Sequence, residues 1–183
     1  MPRRFLFLVG ASAVAVLALV TVSGAGSDTL LPFGTATVTQ PDATSAYIVV
    51  ASGQDGGVFK DKTSDKKLAK VEISFVSSGD VQGGAPRFSV PISTDKDTKT
   101  VEGFAFMDAA GCGATIGVNP AHVPTLVSTV SPTCAVNFQS VDYVNWAAFA
   151  AANPDFKVSK GDVTFVIADQ PGNYFVSDVK LIK

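Results

Sequence analysis

A run of alternating apolar and polar side chains, KVEISFV at residues 70–76, indicates the fold class most clearly. In an extended strand, Val71, Ile73 and Phe75 would lie on one face and the polar side chains on the other. The same alternation returns in RFSVPI at residues 87–92. Strands with this period bury one face each, so the two segments predict antiparallel sheets packed around a shared core.

Short segments of the same kind, rich in Val, Ile, Phe, Tyr and Thr, recur along the chain between clusters of turn-forming residues such as Gly53–Gly57. Fourteen Asp against two Glu also favour many turns and few helices. The pattern is typical of an all-β, antiparallel sandwich or barrel. The predicted strands are Thr35–Thr39, Ala46–Ala51, Lys70–Val76, Arg87–Ile92, Val101–Met107, Asp162–Ala168 and Tyr174–Ile182.

One short helix interrupts this pattern. Ser140 is the predicted amino-terminal cap, and Asn153 with Pro154 ends the helix. We interpret this helix as a cover over one open end of the sandwich, with a ligand-binding role as the alternative. The side chains predicted to share one face are Tyr143, Trp146, Ala147 and Ala150.

The beginning of the chain has the layout of a secretory signal peptide. Arg3 and Arg4 precede an uncharged apolar stretch and then the small residues at 23–26, which predicts cleavage after Ala25. A retained membrane anchor is the alternative, since the apolar stretch is long enough to span a bilayer. With cleavage, the protein is extracellular or on the cell surface, and it meets the membrane only through its signal peptide during export. The predicted organisation is a signal peptide at 1–25, an extended segment at 26–44 and a β-sandwich domain at 45–183.

Export makes a disulfide between Cys112 and Cys134 the expected state of both cysteines. Residues 26–183 hold twelve basic and sixteen acidic side chains, a net charge of −4 that offers no footprint for nucleic acid.

The chain is poorly equipped for catalysis, and we expect it not to be an enzyme. It has one histidine, His122, too few ligands for a transition-metal site, and no phosphate-binding glycine loop, so no cofactor is expected. Two alternatives stay open: a calcium ion in an Asp-rich turn, at Asp61 with Asp65 or at Asp95 with Asp97, and a hydrolase that uses carboxylates from distant strands.

The segment that begins the mature chain favours extension but contains Pro32 and Gly34, which weaken a strand in its own sheet. Such a segment can pair with its own sheet or complete a neighbour's sheet by strand donation. The residues predicted to make this subunit contact are Leu30, Leu31, Phe33, Ala36 and Val38.

A leader followed by Phe33, the Thr-rich strand 36–39, Asp42 and AYIVV at 46–50 resembles the start of small exported subunits. These are the proteins related to the biofilm fibre protein TasA, the camelysin group and the archaeal bundling pili. KGDVTF at 160–165 resembles their carboxyl-terminal sheet pattern. The resemblance implies a jelly-roll sandwich and, from the filament-forming members, polymerisation by insertion of an amino-terminal strand into the next subunit.

The expected function is therefore a secreted structural subunit of a cell-surface filament or biofilm-matrix fibre, with itself or other surface proteins as partners. The alternative is a monomeric secreted adhesin or carbohydrate-binding sandwich. That alternative predicts an aromatic cluster on one surface, with Tyr143, Trp146 or Tyr174 among its members.

Overall fold

The computed structural model describes residues 30–59, 65–94, 99–119 and 121–181. Thirteen strands in this part of the chain form two antiparallel sheets that face each other, and one α-helix accompanies them. The predicted signal peptide at 1–25, and residues 26–29 of the extended segment, lie outside the described residues.

The larger sheet, sheet A, contains eight strands. Along its main path these are β1 (Leu31–Gly34), β4 (Gly56–Phe59), β12 (Phe165–Ala168), β6 (Arg87–Thr94), β7 (Gly103–Asp108), β9 (Val136–Phe138) and β10 (Val141–Tyr143), with β11 (Phe156–Val158) also paired to β6.

The smaller sheet, sheet B, contains five strands. Their spatial order is β2 (Thr37–Asp42), β3 (Ser45–Val50), β13 (Gly172–Lys180), β5 (Ser74–Ser77) and β8 (Thr125–Ser128).

This topology is a jelly roll. The strands β3, β4, β5, β6, β7, β8, β12 and β13 can be counted from first to eighth in chain order. Sheet B then contains the first, eighth, third and sixth strands, and sheet A the second, seventh, fourth and fifth. Two interlocked Greek keys have this order, and every neighbouring pair is antiparallel. The predicted all-β sandwich is therefore confirmed.

The core forms where the alternation of the sequence predicts it. Phe75 and Phe88, one from each sheet, are fully buried and meet edge to face with ring centroids 4.7 Å apart. Aromatic pairs prefer this arrangement because the positive ring edge meets the negative ring face. The contact ties sheet B to sheet A at the centre of the sandwich.

The predicted strand at Lys70–Val76 is too long at its start. Residues Leu68–Lys70 form a turn of 3₁₀-helix, and β5 begins only at Ser74. The Thr129 hydroxyl replaces the missing ladder contacts, because it accepts a hydrogen bond from the Ile73 N–H at 3.1 Å and lies 2.9 Å from the Val71 carbonyl oxygen. Val71 and Ile73 nevertheless stay buried, as the alternation requires.

The predicted start of the helix is wrong. Ser140 has a positive φ of 65° and lies in the two-residue turn that joins β9 to β10. The helix α1 runs over Trp146–Ala152, and its cap is Asn145, whose side chain accepts a hydrogen bond from the Ala148 N–H at 2.8 Å. Asn153 ends it as predicted.

Gly56 and Gly57 were predicted to lie in a turn but begin β4. A side chain on Gly57 would place its Cβ 2.0 Å from the Val166 carbonyl oxygen, and one on Gly56 would come within 2.9 Å of the Phe33 carbonyl oxygen. These glycines therefore mark a close approach of three backbones and not a break in the sheet.

Candidate functional site at the sheet edges

The amino-terminal segment, residues 30–42, runs along one side of the sandwich and pairs with both sheets. β1 pairs with β4, from Leu31 opposite Phe59 to Gly34 opposite Gly56. After a bend, β2 pairs with β3, with Thr37 opposite Val49. β1 is the end strand of sheet A, and β2 is the end strand of sheet B. This one segment therefore forms the edge of both sheets on the same side of the sandwich.

The bend between β1 and β2 is built into the backbone. Gly34 has a φ of 86°, a conformation that costs glycine little and other residues much. A Cβ on Gly34 would also lie 2.4 Å from the Asp55 carbonyl oxygen. That oxygen accepts hydrogen bonds from the N–H groups of Thr35 at 2.7 Å and Ala36 at 3.0 Å, which holds the crossing point against the start of β4.

The five residues predicted for the subunit contact differ in burial. Leu30 is fully buried in the core, whereas Leu31 is 41% exposed. Ala36 and Val38 are partly buried and pack against the core. Phe33 is also half-buried, but its side chain lies on the outer face of sheet A. In the single chain, Leu31, Phe33 and Val38 lie in strands that pair with the protein's own sheets, while Leu30 precedes β1 and Ala36 lies in the bend between β1 and β2.

Phe33 belongs to a row of phenylalanines on the outer face of sheet A. Its ring centroid lies 6.1 Å from that of Phe59 and 5.3 Å from that of Phe165, and Phe165 lies 6.1 Å from Phe104. Its members come from β1, β4, β12 and β7, and β6 lies between the last two of these strands. The row was not predicted from the sequence, although Phe59, Phe104 and Phe165 each lie next to a buried residue in their strands.

The guanidinium group of Arg87 lies on the same outer face of sheet A and is held in place by two contacts. Arg87 lies over the ring of Phe106, 5.1 Å from its centroid, and donates two hydrogen bonds, of 2.7 and 2.6 Å, to the two carboxylate oxygens of Asp169. These hydrogen bonds lower the pKa of the Asp169 carboxyl below its usual value. The ion pair links the start of β6 to the residue after β12.

The opposite side of the sandwich carries the disulfide. Cys112 and Cys134 are bonded, as predicted, across a sequence separation of 22 residues. The bond closes a loop that contains β8, and residues 109–141 include no Asp, Glu, Lys or Arg. This disulfide loop exposes several large apolar side chains: Ile116, Val118, Val123, Leu126 and Val130. Its surface is thus both uncharged and apolar.

Those of the residues considered for catalysis or metal binding that the structure describes do not come together in a site. His122 is exposed, and its Nδ1 lies 3.0 Å from the Ser78 carbonyl oxygen. Within the described ranges, no group of three His, Cys, Asp or Glu side chains is placed to hold a metal ion. Asp65 is exposed, while Asp61, Asp95 and Asp97 of the predicted calcium turns lie outside those ranges.

Two of the three residues named for an aromatic surface cluster, Trp146 and Tyr174, are buried instead. Trp146 is only 3% exposed, and its indole N–H donates to the Leu68 carbonyl oxygen at 2.8 Å. Tyr174 is 1% exposed, and its hydroxyl donates to the Gln170 carbonyl oxygen at 2.7 Å, while burial raises the pKa of this phenol to about 12. Because each has a backbone carbonyl acceptor inside the protein, the Trp146 indole N–H and the Tyr174 hydroxyl can both be buried.

The helices of the described segments are all too short to cross a bilayer. Comparisons of this chain with protein-family models, with curated proteins and with solved structures found no match.

Proposed function

We propose that this protein is an exported structural subunit that polymerises into a cell-surface fibre by exchanging its amino-terminal segment with a neighbouring subunit. The position of residues 30–42 carries the proposal. The segment pairs only at the edges of the sandwich, on one side, and touches both sheets. The same segment from a second copy would find an identical pair of edges.

The pattern of side chains along β2 suits such an exchange. Val38 is half-buried and packs against the core, whereas Thr37 and Thr39 on either side of it are exposed. In strand addition, backbone hydrogen bonds supply affinity and alternate side chains fill pockets. Leu30, fully buried one residue before β1, would serve as the anchor at the beginning of the donated segment.

The remaining surface also favours a subunit over a solitary soluble protein. The row of phenylalanines on sheet A and the disulfide loop both expose apolar side chains. Contiguous apolar patches on a protein surface usually mark contacts with other molecules. The jelly-roll topology is also the fold that the resemblance to exported fibre subunits implies.

Electron microscopy of purified residues 26–183 tests the proposal, with Val38→Asp and Thr37→Asp as a matched pair. We expect fibres from the unchanged protein and from Thr37→Asp, because residue 37 faces solvent. Val38→Asp should give no fibres, since it places a charge against the core. An unchanged protein that stays a single monomeric species at every concentration, or Val38→Asp fibres equal to those of Thr37→Asp, would contradict the proposal.

A further inference from the structure

A cavity of about 160 Å³ lies at the end of the sandwich, between the last residues of β5, the first residues of β8 and the disulfide loop. It is separate from the amino-terminal segment. Its lining residues are Ser77, Val81, Gly113, Ala114, Thr115, Val118, Asn119, Val123 and Thr125.

The loop over this cavity is fastened at several points. Val81 and Gly117 exchange backbone hydrogen bonds of 3.0 and 2.7 Å. The Asn119 N–H donates to a carboxylate oxygen of Asp80 at 3.3 Å, and Asp80 also accepts a hydrogen bond from the Asn173 N–H at 2.8 Å. These contacts fix the position of the loop, so the cavity is part of the fold.

One polar group in the wall of the cavity has no partner among the described protein atoms. Ser77 is only 2% exposed, lines the cavity, and its hydroxyl makes no hydrogen bond. Leaving a buried hydroxyl unpaired destabilises a fold, so such a group in a native core requires an explanation. Thr125 lies directly opposite Ser77 in the β5–β8 pair and adds a second hydroxyl to the same wall.

The side chains that line the cavity restrict the charge, polarity and size of a ligand that could bind there. No acidic or basic side chain lines the cavity, so a charged molecule would lose its hydration without compensation. Hydroxyl groups of Ser77, Thr115 and Thr125 can exchange hydrogen bonds with a guest, while valine side chains offer apolar contact. A cavity of about 150 Å³ in another protein holds a six-carbon ring, so the volume here suits a small molecule.

We infer that this cavity binds a neutral polyhydroxy compound, either a free polyol or sugar or the terminal sugar of a glycan. Hydroxyl groups of the guest pair with Ser77 and Thr125, and its C–H groups contact Val81 and Val123. The site is independent of strand exchange, because no residue of the amino-terminal segment lines it.

Binding to residues 26–183 can be measured by NMR and calorimetry with glycerol, xylitol and a panel of neutral monosaccharides, and with a glycan array as the second arm. We expect at least one probe to shift the amide signals of Ser77, Thr115 and Thr125. Binding in solution identifies a free compound, and binding on the array alone identifies a terminal sugar. No response in either arm overturns the inference.

Two substitutions complete the test. Ser77→Val removes the hydroxyl in the cavity and should weaken binding at least tenfold, the loss of about one hydrogen bond, while the fold becomes no less stable. Thr164→Val is the matched control, because Thr164 is 2% exposed, has an unpaired hydroxyl and does not line the cavity. It should bind the probe unchanged. Equal binding by Ser77→Val and the unchanged protein would overturn the inference.

Discussion

A secreted variant that lacks residues 26–44 is expected to form no fibres and to unfold at a lower denaturant concentration than the intact mature chain. The deletion removes β1 and β2, and with them the fully buried Leu30 and the half-buried Phe33 and Val38. Loss of buried apolar area of this size costs about 3 kcal/mol or more of unfolding free energy. It also exposes the edges of β4 and β3 together.

A synthetic peptide of residues 26–44 should restore much of this stability when it is added to the shortened protein. The peptide supplies the same backbone hydrogen bonds in trans, as strand addition requires. A peptide with Leu30→Ser and Val38→Ser is the control and should restore far less. Fibres from the shortened protein alone, or equal restoration by both peptides, would contradict a donated strand.

Replacement of both cysteines, Cys112→Ser with Cys134→Ser, is expected to lower the free energy of unfolding by about 3 kcal/mol. The disulfide closes a loop across a separation of 22 residues, and without it the unfolded chain regains the freedom of that loop. Urea unfolding with and without reductant measures the effect. Reductant should shift the midpoint of the unchanged protein and leave that of the double variant where it is.

Fibre formation should survive this double substitution at low temperature, because the disulfide and the amino-terminal segment lie on opposite sides of the sandwich. Loss of less than 1 kcal/mol would show that contacts next to β8, such as those of Thr129 with Val71 and Ile73, hold the loop without the covalent bond. A complete loss of fibres under conditions where the variant is folded would place the assembly surface at the disulfide loop.

The two-sheet core was predictable from sequence because it depends on a local period. Val71, Ile73 and Phe75 all point inward even where the ladder is interrupted. The disulfide was predictable for a different reason, since two cysteines allow one intramolecular pairing and the export predicted from the sequence favours it.

The errors have tertiary causes. Ser140 and Asn145 are both acceptable helix caps in sequence, and only the pairing of β10 with β9 assigns Ser140 to a hairpin turn. From the sequence, Gly56 and Gly57 look like turn residues. Only the positions of the neighbouring strands show that they are needed for close backbone packing. The cavity beside Ser77 depends on where a distant loop is fastened, which no local pattern specifies.

Exchange of the amino-terminal segment between copies can be measured directly with two variants that each add one cysteine, Thr37→Cys and Val49→Cys. These exposed residues lie opposite each other in the β2–β3 pair, and the native cysteines are already bonded to each other. Residues opposite each other in a pair of strands are close enough for a short thiol cross-linker. Each variant alone serves as the control for contacts between like positions.

If the segment is exchanged, fibres assembled from an equal mixture of the two variants should yield chains joined between residues 37 and 49, identified by mass spectrometry after mild oxidation or cross-linking. A Thr37→Cys, Val49→Cys double variant is the control and should form the linkage within single chains. If it does so and the mixed fibres contain no linkage between chains, exchange of the amino-terminal segment is contradicted.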